Sequence, residues 1–185
     1  MIKPIIAYGN PVLRKVAQPI DASYPQLKEL VASMFETMEA SDGVGLAAPQ
    51  IGLAIRLFVI DASSMSEDYP EAQDFKRAFI NPRIVEEKGE EWYFNEGCLS
   101  VPGIREDVSR KSIVVLEYYD ESFTKKTEEF TGICARVIQH EYDHLEGKLF
   151  VDRVNPLKKR LLQGRLQNIE KGKVPVQYKI KFYNP

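Results

Sequence analysis

The chain has 185 residues, 44% of them hydrophobic and 28% charged, with a formal net charge of −2. That length suits one well-cored unit and is short for two. The balanced charge excludes general attraction to nucleic acid or a membrane surface, and no apolar run approaches the length of a spanning helix. The first twenty residues carry Pro4, Gly9 and Pro11 among their apolar positions, so they lack the continuous apolar core of a signal peptide. They read as the start of a cytoplasmic protein. Cys98 and Cys134 are then expected as two thiols rather than a disulfide.

In chain order, the spacing of Leu27, Leu30, Val31, Met34, Phe35 and Met38 predicts a helix over 25–40, with Pro25 in its first turn and Asp42-Gly43 at its exit. RLFVI (56–60) reads as a short buried strand. The polar, turn-rich stretch 61–75 reads as an exposed loop. Residues 78–88 look extended, with Pro82 marking an edge or a bulge, and 111–120 carries the β-branched and aromatic residues of a strand. A second helix is expected over 131–146, with Thr131 as N-cap and Gly147 as its stop. A third opens at Asn155-Pro156 and lines one side with Leu162, Leu166 and Ile169. The tail alternates weakly and suits an edge strand. Strands before and between helices, with long connections, indicate an α+β fold. The expected organisation is a single domain over 1–185, with the third helix at about 156–171 and a tail at 173–185.

The only two histidines, His140 and His144, lie four apart on the second predicted helix. Residues i and i+4 share a helix face, so both can bind one divalent ion. Glu141 falls about 100° around the axis, close to such an ion without pointing at it. That position suits a general base acting on water. Two imidazoles need a third ligand. Phe150 occupies the position where one family of zinc proteases has a third histidine, and Glu170 sits beside a predicted helix end among lysines. Cys134 would point about 120° from His140, nearly two turns away, and reads as a core residue. Cys98, in NEGCLSVPG, is the better candidate, because Gly97 and Pro102-Gly103 suit a turn that presents the thiol; an ordinary buried thiol is the other reading. Three protein ligands leave one coordination position open, as in catalytic sites. Sulfur with two imidazoles suits Zn²⁺ or Fe²⁺.

The segment SDGVGLAAPQIG (41–52) loosely matches a dinucleotide-binding fingerprint. The context is wrong, because a helix precedes it and Pro49 and Gly52 spoil the helix that should follow. Small residues at 43, 45, 47 and 48 would instead allow close approach of another chain. Gln50 would add an amide donor for a developing negative charge.

Three segments, GVGLAAPQ (43–50), EGCLS (96–100) and QHEYDH (139–144), together resemble the three motifs of the peptide deformylase family, in the family's order, within a matching region of about 5–151. The resemblance implies that family's α+β fold, with mixed and antiparallel strands around the motif-bearing helix. It implies a metal-dependent hydrolase that removes the N-formyl group from new polypeptides. Cys98, His140 and His144 would be metal ligands, and Glu141 the general acid and base. Gln50 and the Leu99 N–H would stabilise the oxyanion. One divalent ion per chain is implied, Fe²⁺ in the cell, with Zn²⁺, Ni²⁺ or Co²⁺ able to substitute. Glu96, Arg105 and Arg110 match positions with supporting roles, Glu96 as a partner of Arg110.

An N-formylmethionyl peptide should bind as an extended strand between the backbones of Val44–Gly45 and Gly97. Val44, Phe94, Ile133 and Val137 are candidates for its methionine pocket, each with a plain core role as the alternative. Other readings of the histidine motif are a protease for internal peptide bonds and a structural metal site. Lys158, Lys159, Arg160 and Arg165 on the third helix suggest ribosome contact, against the commoner reading of a solvated helix face. No membrane and no specific nucleic-acid sequence is expected as a partner.

Overall fold

The computed structural model describes residues 1–184. Among them, five strands form one antiparallel sheet in the order β2-β3-β4-β5-β6. They are β2 (Gly45–Ala47), β3 (Leu57–Asp61), β4 (Lys76–Cys98), β5 (Val101–Tyr119) and β6 (Lys125–Thr131). A separate two-stranded parallel sheet joins β1 (Ile5–Ile6) to β7 (Ile180–Lys181), so the two ends of the chain meet. The helices are α1 (Leu27–Ala40), α2 (Gly132–Leu145) and α3 (Pro156–Glu170). This is an α+β arrangement. Among the described residues, no helix is long and apolar enough to cross a membrane.

Helix α1 turns Val31, Met34 and Met38 onto Leu57 and Val59 of β3. It starts two residues after Pro25, because Gln26 adopts a left-handed conformation (φ 54°). At its exit Asp42, at φ 58°, takes the left-handed position. Strand β3 is buried at four of its five residues, which explains its continuous apolar run. Pro82 lies in a bulge, where the pairing of β4 with β5 shifts register between Ile80 and Arg83. It also lies just beyond Ile80, the last β4 residue paired with β3, so β5 is its only neighbouring strand there.

The stretch 61–75 is turn-rich, but only seven of its fifteen residues are exposed, and the exposed-loop expectation needs correcting. It contains two short 3-10 turns, and Ala62, Ala72 and Phe75 anchor it in the core. Its Glu71 also replaces the expected N-cap of α2. Thr131 holds the capping position but makes no side-chain bond. Instead Glu71 Oε1 accepts from Ile133 N at 2.8 Å, placing an anion at the positive end of the helix.

Helix α3 follows its sequence signals: Asn155 accepts from Lys158 N at 2.8 Å, and Leu162, Leu166 and Ile169 are buried. Helix α2 is different. Eleven of its fourteen residues are buried, including Arg136, Gln139, Glu141, Asp143 and His144. Ionisable groups rarely reach such burial without partners, so the partners of Arg136 and Asp143, and the lack of one at Glu141 Oε2, mark out the site.

Candidate metal centre

Two elements supply the chemistry. One is the face of α2 that carries Arg136, His140 and His144 at four-residue spacing. The other is the end of the β4–β5 hairpin, where Cys98 pairs with Val101 across the two-residue turn Leu99–Ser100. Strand alternation turns Phe94, Glu96 and Cys98 to one face. Glu96 is buried and Phe94 and Cys98 half-buried, while Tyr93 and Asn95 are exposed.

One ligand atom each of Cys98, His140 and His144 lies within 4.8 Å of the others. The Cys98 Sγ–His144 Nε2 distance is 3.4 Å. The residues fit a divalent ion on two grounds. His140 Nδ1 is committed to Glu96 Oε1 at 2.8 Å, which leaves Nε2 as its donor atom and fixes the ring as an outer carboxylate does in metal sites. Burial pushes His144 down to about 3, so its ring is the neutral form that binds metals.

Glu141 follows His140 in the buried wall. Its Oε2 has no hydrogen-bond partner. Burial, opposed by the neighbouring His140, pushes its carboxyl up to about 7. With a divalent cation held by Cys98, His140 and His144, the Glu141 carboxyl would be favoured in its ionised form. Across from it lies Gly45. A Cβ there would collide with the Glu141 carboxylate and stand 2.8 Å from its Cδ. Gly45→Ala is therefore expected to displace the Glu141 carboxyl and cut turnover by about 10²-fold, with metal content unchanged, as read by formate release and metal analysis on one preparation.

Gln50 is 2% exposed. Its Oε1 accepts from Ala47 N at 2.9 Å, which fixes the amide orientation and turns the NH₂ group to the metal-binding cluster. Nε2 lies 3.4 Å from Cys98 Sγ and 3.2 Å from Ser100 Oγ.

Behind the histidines runs a buried ion network. Arg110 grips Glu96 through Nε at 2.7 Å and Nη2 at 3.0 Å, and Arg136 Nη1 donates to the same carboxylate at 2.8 Å. Burial alone would raise the Glu96 carboxyl, but His140 and Arg110 hold it well below the usual range. Arg110 Nη1 also reaches Asp143 at 2.9 Å, and Arg153 closes on Asp143 at 2.6 and 2.7 Å.

A groove of about 800 Å³ opens beside the cluster. Val44, Gly45, Phe94, Gly97 and Val137 all line it. Ile133 is fully buried among the core residues under it and is not on its wall. Arg105 is an exposed rim residue bonded to Asn95. Glu96 pairs with Arg110 as expected, and also with Arg136 and His140. Arg136, Asp143, Arg153, Ser100 and Tyr178 were not singled out in the sequence. Arg136 had a signal: it is a charge inside an apolar stretch, four residues before His140. Tyr178 had none. Its hydroxyl donates to Leu99 O at 2.6 Å, and burial beside Cys98 pushes it up to about 12, so it stays protonated.

A family model described as polypeptide deformylase matches residues 2–160. The chain belongs to that family. A peptide deformylase of Flavobacterium johnsoniae is 58% identical to it over 189 residues, covering 98% of this chain and 96% of the relative. One of Christiangramia forsetii is 54% identical, covering 100% and 97%. Among solved structures, a peptide deformylase of Legionella pneumophila superposes with a TM-score of 0.80 at 37% identity, over 95% of this chain and 100% of that one. As a deformylase the chain is a hydrolase that removes the N-formyl group from the N-terminal formylmethionine of new polypeptides and releases formate. Its Cys98, His140 and His144 cluster suits one metal ion.

Proposed function

We propose that deformylation runs on Glu141, Gln50 and the Leu99 N–H around an ion held by Cys98, His140 and His144. The observation that carries this reading is the buried, unpartnered Oε2 of Glu141 beside that cluster. When bound, the ion supplies Lewis acidity, which polarises the formyl carbonyl and makes water a nucleophile at neutral pH. Glu141 takes the proton from that water as it attacks the formyl carbon. Gln50 Nε2 and the Leu99 N–H donate to the carbonyl oxygen as its charge grows. Glu141 then passes its proton to the departing amine. Formate and a free N-terminus remain.

Substrate placement follows from the sheet. Strand β2 is its edge, and Val44 and Gly45 line the groove. An extended peptide can add beside them, with Gly97 on the opposite wall. Val44, Phe94 and Val137 offer apolar surface for the methionine side chain. Glu96 and Arg110 act behind His140, and Arg105 at the rim. The chain reads as one domain acting around this site. Fe²⁺ is the ion inferred in the cell from membership of the family, since a thiolate with two imidazoles suits Zn²⁺ as well, and the cytoplasm is the inferred location. Ribosome contact through α3 is supported by exposed Leu157 and Leu161. Against it, Lys158 pairs with Glu106 and Lys159 with Asp152.

The test is formate release from formyl-Met-Ala-Ser by anaerobically purified protein, with metal analysis of the same sample. One ion per chain is expected, with activity lost on chelation and restored by Fe²⁺. Full activity in protein stripped of metal would contradict the reading.

A further inference from the structure

The turn that bears Cys98 is held from outside the hairpin by the two ends of the chain. The Leu99 carbonyl accepts from Tyr178 Oη at 2.6 Å. The next carbonyl, of Ser100, accepts from Tyr8 N at 2.8 Å. Tyr8 stands two residues after β1 and Tyr178 two residues before β7. These strands pair in parallel, Ile5 with Ile180 and Ile6 with Lys181. Ile5 N also donates to Lys179 O at 2.9 Å, and Ala7 N to Lys181 O at 3.0 Å. Ile5 is fully buried in the cluster against which Leu99, Tyr178 and Ile180 pack.

We propose that the terminal sheet clamps the Leu99–Ser100 turn, and that Tyr178 is a positioning residue for the Leu99 backbone. The inference rests on the reading of the Leu99 N–H as an oxyanion donor. Bonds to two successive carbonyls fix ψ at both turn residues. The Leu99 side chain is seated too: a Cβ on Gly43 would lie 2.9 Å from Leu99 Cδ1 and 3.5 Å from Met38 Cγ. Gln50 holds the Ser100 hydroxyl at 3.2 Å. The Cys98–Leu99 peptide, which carries the N–H, lies between this clamped pair of peptides and the Cys98–Val101 strand pairing. Holding the Leu99 carbonyl therefore limits how far the whole turn can shift, and a preorganised donor is what oxyanion stabilisation needs. Residues 175–178 also line the groove. The β7 half of the clamp lies beyond residues 2–160, the span of the family match.

The test is steady-state kinetics of metal-loaded Tyr178→Phe on formyl-Met-Ala-Ser, with Gln50→Ala run beside it. Phenylalanine keeps the ring and removes the donor. The expected result is a fall in kcat of roughly 3–10-fold, the range for one neutral hydrogen bond, with KM, metal content and Tm unchanged. Wild-type kcat in Tyr178→Phe overturns the clamp, and so does a loss that only follows lost metal or lost fold. Gln50→Ala separates the two levels. If it is impaired while Tyr178→Phe is not, the clamp alone fails. If neither is impaired, the oxyanion arrangement beneath it fails as well.

Discussion

Replacing Glu141 by alanine is expected to lower formate release by about 10²–10⁴-fold, the range for a positioned general acid and base, and to leave one ion per chain in place. The separation follows from geometry. The proposed ligand atoms belong to Cys98, His140 and His144, while Glu141 stands beside them with its Oε2 unpartnered. Burial also has a stability consequence of definite sign. In the metal-free protein the Glu141 carboxyl is raised from 4.5 to about 7. A raised folded-state value means the folded protein binds the proton more tightly than the unfolded chain. Its contribution is therefore fully present below about pH 4.5 and is lost as pH rises to 7. Metal-free Glu141→Gln should accordingly be more thermostable than metal-free wild type at pH 8, by on the order of 3 kcal/mol at most. Stability is given up here for a poised base. Calorimetry of the two proteins at pH 5 and pH 8 checks this: a gap that does not widen with pH would rule it out.

The second large effect is expected at Glu96. This carboxylate is 4% exposed and receives bonds from Arg110, Arg136 and His140. Glu96→Ala leaves two guanidinium groups in the interior without their shared anion, and Arg110 keeps only Asp143. Breaking a buried pair in this way costs about 3–5 kcal/mol, a large part of a total stability of roughly 5–15 kcal/mol. It also releases His140 Nδ1, and losing such an outer partner typically costs about 10–100-fold in metal affinity. Both should appear together, as a lowered urea midpoint and a weakened metal titration. Glu96→Gln should recover part of the stability, because the amide still accepts one bond. A fully stable Glu96→Ala protein that keeps its metal would show that the network does neither job.

The parts of this site that sequence reveals are those fixed by local geometry. His140, Glu141 and His144 sit on one helix, so their relative directions follow from 3.6 residues per turn. Cys98 follows from a motif-bearing turn. The rest depends on pairings across long separations. Glu96 meets Arg136 forty residues away, and Tyr178 meets Leu99 across seventy-nine. No local pattern encodes either.

The length of the β4–β5 hairpin was hidden for a related reason. Residues 86–91, EEKGEE, carry no apolar alternation, yet they belong to a strand because β5 pairs alongside them. Strand β6, KKTEEFT, is a charged edge strand that buries only Phe130, and such edges read as loops. The exposed-loop reading of 61–75 missed that Glu71 reaches the helix of the site.

The most direct measurement is an anomalous-scattering map of crystals of the metallated protein, recorded at the metal's absorption edge. One peak is expected per chain, within about 2.0–2.3 Å of Cys98 Sγ and a ring nitrogen of both His140 and His144. A peak ligated by other residues, or a fully loaded ion beyond bonding reach of the Cys98 sulfur, would contradict the account.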